Sequence, residues 1–147
     1  SLLQALLADA YFAKAPPKST GRDLFNEAWL QQRLDGFPGV AAQQVQATLA
    51  ELTARAVADD LGRYQPGLPR LLVCGGGALN HHLMARLRAL LPHALVASSA
   101  EAGLPPLQVE AAAFAWLARQ CIRRDKLPLT STTGARGARV LGAVWPA

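Results

Sequence analysis

Residues 71–80 read Leu-Leu-Val-Cys-Gly-Gly-Gly-Ala-Leu-Asn, and this stretch decides the fold. The apolar run predicts a buried strand, and the helix that opens at Asn80 carries apolar side chains at helical spacing on its inner face (Leu83, Met84, Leu87, Leu90 and Leu91). Three successive glycines are costly to order, so a chain that keeps them usually needs its backbone to approach something closely. The N–H groups of a helix N-terminus suit a phosphate or a ribose hydroxyl. A tight turn without a ligand is the alternative.

The glycine turn matches two standard nucleotide-binding patterns poorly. Gly75 and Gly77 fit the first half of the dinucleotide fingerprint, but Asn80 stands where its third glycine belongs. The acid expected about 20 residues later is missing, because the second predicted strand, 94–97, is followed by Ser98 and Ser99, and Glu101 comes only after them. The Gly-Lys-Ser or Gly-Lys-Thr of a Walker A loop does not occur. A dinucleotide-binding oxidoreductase fragment therefore remains only as an alternative.

The composition suits one domain, or a large piece of one. About half of the 147 residues are apolar, yet no stretch approaches the roughly 20 apolar residues of a membrane span, so we expect no membrane partner. The 15 basic residues against 10 acids are scattered and not interleaved with aromatics, so we expect no nucleic-acid partner. Cys74 and Cys121, without a targeting signal, predict reduced thiols and a cytoplasmic location. The start at Ser1 indicates a piece of a longer protein.

Periodicity divides the chain into two parts. Residues 1–69 are predicted to be mainly helical, with helices over 1–12, 23–34 and 42–61. Residues 70–147 form the strand–glycine turn–helix part, with the second strand, a helix over 109–124 and a tail with the apolar run 140–144. This is an α/β layout with helices packed on a small mixed sheet. Only two or three strands are visible, so we expect the sheet to be incomplete.

The helix over 109–124 is predicted to turn apolar side chains inward (Val109, Ala112, Ala113, Trp116 and Leu117). Phe25, Trp29 and Phe114 share helical spacing with aliphatic residues, which favours the core over a stacking role. The two-residue run His81-His82 is assigned to a helix surface, because neighbouring helical positions do not face one ligand. We expect no metal site.

Five segments together resemble the anhydro-N-acetylmuramic acid kinases of bacterial cell-wall recycling. They are similar to that family's PPKSTGRE-x-FN-x-x-WL segment, its next helix, its GGG-x-x-N element, its EA-x-AFAWLA helix and its C-terminus (residues 16–30, 45–54, 73–80, 109–118 and 133–143). The resemblance covers nearly the whole chain, in order. Family members are longer, so it implies a C-terminal half, the C-terminal domain of an actin-like (ribonuclease H-like) ATPase fold.

The resemblance also implies an activity. The family opens the anhydro ring of 1,6-anhydro-N-acetylmuramic acid with water and phosphorylates the sugar with Mg-ATP, giving N-acetylmuramic acid 6-phosphate. The expected cofactors are thus ATP and Mg²⁺. The expected partners are a small-molecule sugar and the missing N-terminal half, and the apolar content makes a homodimer a reasonable expectation. The alternative is a non-catalytic nucleotide-binding or interaction module of the actin-like fold.

The resemblance assigns site residues one by one. The nucleotide-binding residues are those that match the adenosine element (Gly75, Gly76, Gly77 and Asn80), and Glu110 matches a sugar-binding glutamate. Plain alternatives are an N-cap role for Asn80 and electrostatic support of a helix N-terminus by Glu110. The family's phosphate-binding glycine loop and catalytic aspartate have no counterpart here, so no catalytic residue is assigned and the fragment alone is expected to be inactive.

The other polar residues have structural interpretations. Solvated surface is the better interpretation for most of the remaining acids (Asp9, Asp23, Glu27, Asp35, Glu51, Asp59, Asp60 and Asp125). In the segment Lys18–Arg22, Ser19 or Thr20 is expected to cap the helix from Asp23 onward, while its basic residues pair with acids.

Overall fold

The chain up to residue 69 is helical in the computed structural model, which describes residues 1–145. Four helices follow one another there: α1 (Leu2–Leu7), α2 (Ala10–Ala13), α3 (Glu27–Leu34) and α4 (Ala42–Tyr64). All three helical segments predicted in this part are present. The first is divided in two, and the second begins four residues later than expected.

Two capping side chains explain these differences. The Asp9 carboxylate accepts the backbone N–H of Tyr11 at 2.9 Å, which ends the run from α1 and begins α2. Asn26 accepts the backbone N–H of Trp29 at 2.9 Å and begins α3. The expectation that Ser19 or Thr20 caps this helix is wrong, because the chain still turns over residues 22–24 before the helix begins.

The predicted order of strand, glycine turn, helix and strand is present. Strand β1 (Arg70–Val73) leads through a 3-10 turn (Gly76–Leu79) into α5 (His81–Leu90), and β2 (Leu95–Ser98) follows. The two strands are parallel and in register from their first residues to their last. Parallel strands need a crossover connection, which α5 supplies. The chain is thus α/β, with helices packed on a small sheet.

Two apolar clusters form the core, and α4 contributes to both. The sheet cluster holds Ala54 of α4 with side chains of α5 and β2 (Met84, Leu87 and Val96). The helical cluster holds Leu52 of α4 with Leu2 and Leu6 of α1. Because α4 takes part in both clusters, it fixes the sheet against the N-terminal helices.

The helix predicted over 109–124 is α6 (Val109–Ile122), and a short α7 (Thr130–Thr133) follows. The inward placement expected of this helix is wrong for most of its residues: Ala112, Ala113, Phe114 and Trp116 are exposed, and only Cys121 is buried. Apolar composition predicts burial only where another surface packs on the helix, and no part of residues 1–145 covers this side. Phe25 and Trp29, by contrast, are half-buried and pack with ring centroids 4.9 Å apart.

The tail lies against the end of α6 and adds no strand to the sheet within the described residues. An isolated antiparallel bridge joins Leu127 to Arg139. Gly142, at φ +94°, lies so close to α6 that an added Cβ would be 3.4 Å from Cys121 Sγ. Across residues 1–145, no helix has both the length and the hydropathy needed to cross a membrane.

Candidate functional site

Gly75 has a backbone conformation that requires glycine. Its φ of +69° and ψ of −167° lie in a region that side-chain-bearing residues almost never enter. The Gly75 N–H donates to the carbonyl of Pro106 at 2.8 Å, which holds the turn in this conformation. The first glycine of the triplet is therefore explained by the fold itself.

The next two glycines are not explained in that way. Neither has a positive φ, and a Cβ added to Gly76 would meet no atom within 4 Å. A Cβ on Gly77 would lie 3.4 Å from Leu83 Cδ2, which is an ordinary contact. Gly76 is also exposed. Its missing side chain leaves open a space beside the backbone, which is what close approach by a ligand needs.

Asn80 is the N-cap of α5. Its side-chain oxygen accepts the backbone N–H of Leu83 at 3.0 Å, so the capping role considered from the sequence is confirmed. The cap uses Oδ1 only. Within residues 1–145 the Nδ2 group donates to no protein atom, and the residue is exposed. Asn80 can therefore cap the helix and still present a donor to a ligand.

The glycine turn lies at the carboxyl edge of the sheet, where ligands of parallel sheets usually bind. Val73 and Ser98, the last residues of β1 and β2, are opposite each other in the ladder. The hydrogen bond from Gly75 to Pro106 brings the segment that leads into α6 to the same edge. Two regions separated by 31 positions along the chain, from Gly75 to Pro106, thus meet beside the turn.

Glu110 lies in the first turn of α6, four residues after Pro106. It is exposed, and within the described residues it takes part in no ion pair or side-chain hydrogen bond. A first-turn carboxylate is favoured by the helix dipole, as the electrostatic interpretation requires. Its oxygens are also available to accept hydrogen bonds from a hydroxyl-bearing ligand. The fold brings the start of this helix near the glycine turn and leaves both exposed.

Asp9 and Glu51 were predicted to be solvated surface residues, as were most acids, but both instead bind side chains of other helices. The Asp9 carboxylate accepts hydrogen bonds from Trp29 Nε1 at 2.9 Å and Arg33 Nη2 at 3.0 Å, besides capping α2. The bond from Trp29, that from the Tyr11 N–H and the nearby Arg33 together hold the pKa of Asp9 below its usual range. Asp9 therefore joins α2 to α3.

Glu51 performs a similar task between α4 and α5. Arg86 binds it through two nitrogens, with Nε 2.6 Å from Oε2 and Nη2 3.2 Å from Oε1. Arg55 Nε adds a third bond to Oε1 at 2.8 Å. The hydrogen bonds from Arg86, and then the one from Arg55, lower the pKa of Glu51. Because α5 begins at the glycine turn, this ion pair helps to hold the turn in place.

The segment Lys18–Arg22 contacts α2 and α4 through Lys18. Lys18 Nζ is 2.6 Å from Asp60 Oδ2 and donates to the Phe12 carbonyl at 3.3 Å, so the pairing of its basic residues with acids is confirmed at Lys18. Arg22 borders an apolar groove of about 730 Å³ between α3 and α4, which includes no predicted site residue. His81 and His82 are exposed, as expected, and both cysteines are free.

Comparison with known proteins gives consistent matches over the whole chain. The family model described as anhydro-N-acetylmuramic acid kinase matches residues 1–147. A curated relative of that name from Variovorax paradoxus is 63% identical over 146 residues, which are 99% of this chain and 39% of the relative. Those from Albidiferax ferrireducens and Pseudomonas putida are 59% and 56% identical over 146 residues, 99% of this chain and 38% and 40% of the relatives. The chain therefore spans about two-fifths of the length of these relatives, and the resemblance seen in five segments is confirmed.

Proposed function

The chain belongs to the anhydro-N-acetylmuramic acid kinase family, and from this we propose that it is the C-terminal part of a cytoplasmic kinase acting in cell-wall recycling. The kinase would open 1,6-anhydro-N-acetylmuramic acid with water and phosphorylate it with ATP. Residues 1–69 would serve as the helical support, and residues 70–147 would carry the adenosine element. The observation that carries the proposal is the open space beside Gly76, at the edge of the sheet where α6 begins.

Gly75, Gly76, Gly77 and Asn80 would bind the nucleoside part of ATP. Gly75 sets the course of the backbone, and the missing Cβ of Gly76 lets the ligand approach the peptide plane. Asn80 would donate through Nδ2 while Oδ1 remains bound to the Leu83 N–H. ATP supplies the phosphoryl group. None of these residues carries a carboxylate, so we assign the Mg²⁺ ligands to the remaining length found in the relatives.

Glu110 would bind the sugar. An ionised carboxylate forms strong hydrogen bonds with hydroxyl groups, and no described residue competes for its oxygens. Its place in the first turn of α6 puts the carboxylate at the positive end of the helix dipole. We assign Glu110 to orienting the sugar and not to activating water. The activating aspartate and the phosphate-binding loop would lie in the remaining three-fifths of the protein, so this chain alone would be inactive.

The test uses the full-length protein, meaning this chain together with the further length that its relatives have. Binding of ATP and of the anhydro sugar is measured separately by titration calorimetry. Gly76→Ala should weaken ATP binding about tenfold or more, since an added methyl group blocks close approach. Glu110→Ala should weaken sugar binding about tenfold or more and leave ATP binding nearly unchanged, because a charged hydrogen bond to a ligand is lost.

Glu27→Ala is the matched control, because Glu27 is likewise an exposed glutamate in the first turn of a helix, but in α3 and outside the assigned site. It should leave both affinities unchanged. Gly75→Ala should destabilise the fold, since it strains a backbone that only glycine adopts, whereas Gly76→Ala should not. Equal loss of both ligands in Glu110→Ala would contradict the sugar role. Binding of NAD in place of ATP would favour the oxidoreductase alternative, and binding of neither ligand would favour a non-catalytic module.

A further inference from the structure

Helix α6 has the composition of an enclosed helix but is not enclosed within the described residues. Its charged residues before Cys121 are Glu110 in the first turn and Arg119 in the last. The eight residues from 111 to 118 are five alanines, Phe114, Trp116 and Leu117. A helix that is apolar all round is normally buried on all sides. Cys121 is nevertheless its only buried residue.

The exposed apolar side chains of α6 lie on opposite sides of the helix. Phe114 is 64% exposed and Trp116 is 46% exposed. Residues two positions apart in an α-helix, such as Phe114 and Trp116, point in directions that differ by roughly 200° around the helix axis. Ile122 is also 73% exposed in the last turn of α6, and Leu107 is 66% exposed in the turn just before the helix. The uncovered surface is therefore two faces and not a single stripe.

This distribution identifies the kind of partner. A symmetric dimer joins one patch to its copy, so it covers one face of such a helix and leaves the opposite face in water. Coverage on both sides requires a body that surrounds the helix. The relatives from Variovorax paradoxus and Albidiferax ferrireducens carry about three-fifths of their length outside the part that this chain matches.

We propose that the remaining part of the full-length protein encloses α6 and packs on both its Phe114 face and its Trp116 face. The interface is built into one molecule and needs no ligand, so it goes beyond the proposed function. Phe114 follows Glu110 by four residues and shares its side of the helix. The enclosing segment therefore reaches the border of the proposed sugar site.

Hydroxyl-radical footprinting of the unmutated full-length protein tests the enclosure without ligands. For each residue, the oxidation rate in urea is divided by the rate in the folded protein, which removes differences in intrinsic reactivity. Tyr64 is the internal control, because it is 37% exposed at the end of α4. If α6 is enclosed, Phe114 and Trp116 should be protected at least about tenfold more than Tyr64, although both are more exposed than Tyr64 in this chain.

Three outcomes decide the proposal. Strong protection of both residues that persists on dilution supports enclosure by the same molecule. Protection equal to that of Tyr64, or protection of only one of the two residues, overturns it. Protection that disappears on dilution also overturns it, because a second copy of the protein would then be the covering partner. Since no nucleotide or sugar is present, the result does not depend on the ligand roles of Gly76 and Glu110.

Discussion

Asp9 and Glu110 are both carboxylates at the start of a helix, but the two regions of the molecule use them in opposite ways. In the helical region, Asp9 accepts three hydrogen bonds from protein donors and joins two helices. In the region after residue 69, Glu110 is exposed and accepts no side-chain hydrogen bond from the described residues. The same local signal therefore has a structural meaning in one region, whereas in the other it leaves the carboxylate free for the sugar-binding role that we propose.

The contrast extends beyond the carboxylates. Leu2, Leu6 and Leu52 form a buried cluster in the helical region. In the later region Phe114 and Trp116 are exposed and Gly76 leaves open space. A protein that binds ligands needs both kinds of region, because a site whose donors, acceptors and apolar surface are all used within the protein has none left to contact a ligand. We infer that residues 1–69 support a surface which the later residues present.

The largest expected difference between the regions is in the free energy of unfolding after the same Leu→Ala change at a buried and at an exposed leucine. Leu6 is fully buried at 0% exposure, and Leu79 beside the glycine turn is 57% exposed. Leu6→Ala should lower the free energy of unfolding by about 2–5 kcal/mol, since it leaves a cavity. Leu79→Ala should change it by no more than about 0.5 kcal/mol. Urea unfolding of the full-length protein, followed by circular dichroism, measures both. Equal losses would remove the contrast between a packed region and an open one.

A smaller difference is expected between two glutamates. Glu51→Ala leaves the Arg86 guanidinium without its two hydrogen bonds and should cost about 1 kcal/mol, because this side chain is 36% exposed and water replaces part of what it loses. Glu101→Ala, at an exposed position, should stay within about 0.5 kcal/mol. A double-mutant cycle with Arg86→Ala isolates the pair. Additive losses in that cycle would show that the ion pair does not join α4 to α5.

Local sequence signals predicted the strand–turn–helix unit well. The glycines, the apolar spacing and the capping Asn80 all act within a few residues of one another, and the structure has β1, the turn and α5 in that order. The carboxyl edge of the sheet then follows from the parallel pairing of β1 with β2. The approach of α6 to this edge does not follow from the strand pairing, because it depends on a hydrogen bond between Gly75 and Pro106, which are far apart in the sequence.

Long-range contacts explain what the sequence did not reveal. Glu51 meets Arg86 across 35 positions, and Asp9 meets Trp29 across 20. Nothing in a single helical pattern indicates such pairs, so these acids resembled solvated surface. Trp116 is the opposite case: its helical spacing predicts a core residue, but no surface among residues 1–145 covers it and it is exposed.

The smallest expected effect is a pH dependence, and it contrasts Asp9 with Glu110. The pKa of Asp9 is lower in the folded protein than in the unfolded chain, chiefly because of the hydrogen bond from Trp29. Its contribution to stability is therefore complete above the unfolded pKa and is lost as the pH falls through the folded pKa. Asp9→Asn should destabilise the protein at neutral pH, by less as the solution becomes acidic.

Glu110→Gln is the matched comparison, because it neutralises a helix-terminal carboxylate that contacts no described donor. The free energy of unfolding is measured for both variants and the unmutated protein from neutral pH down through the carboxyl range. The unmutated protein should lose stability more steeply than Asp9→Asn, and Glu110→Gln should follow the unmutated protein. If Asp9→Asn were just as steep, the acid sensitivity would arise from Glu51 instead. The contact whose stability depends on pH would then be the one between α4 and α5, and not the one between α2 and α3.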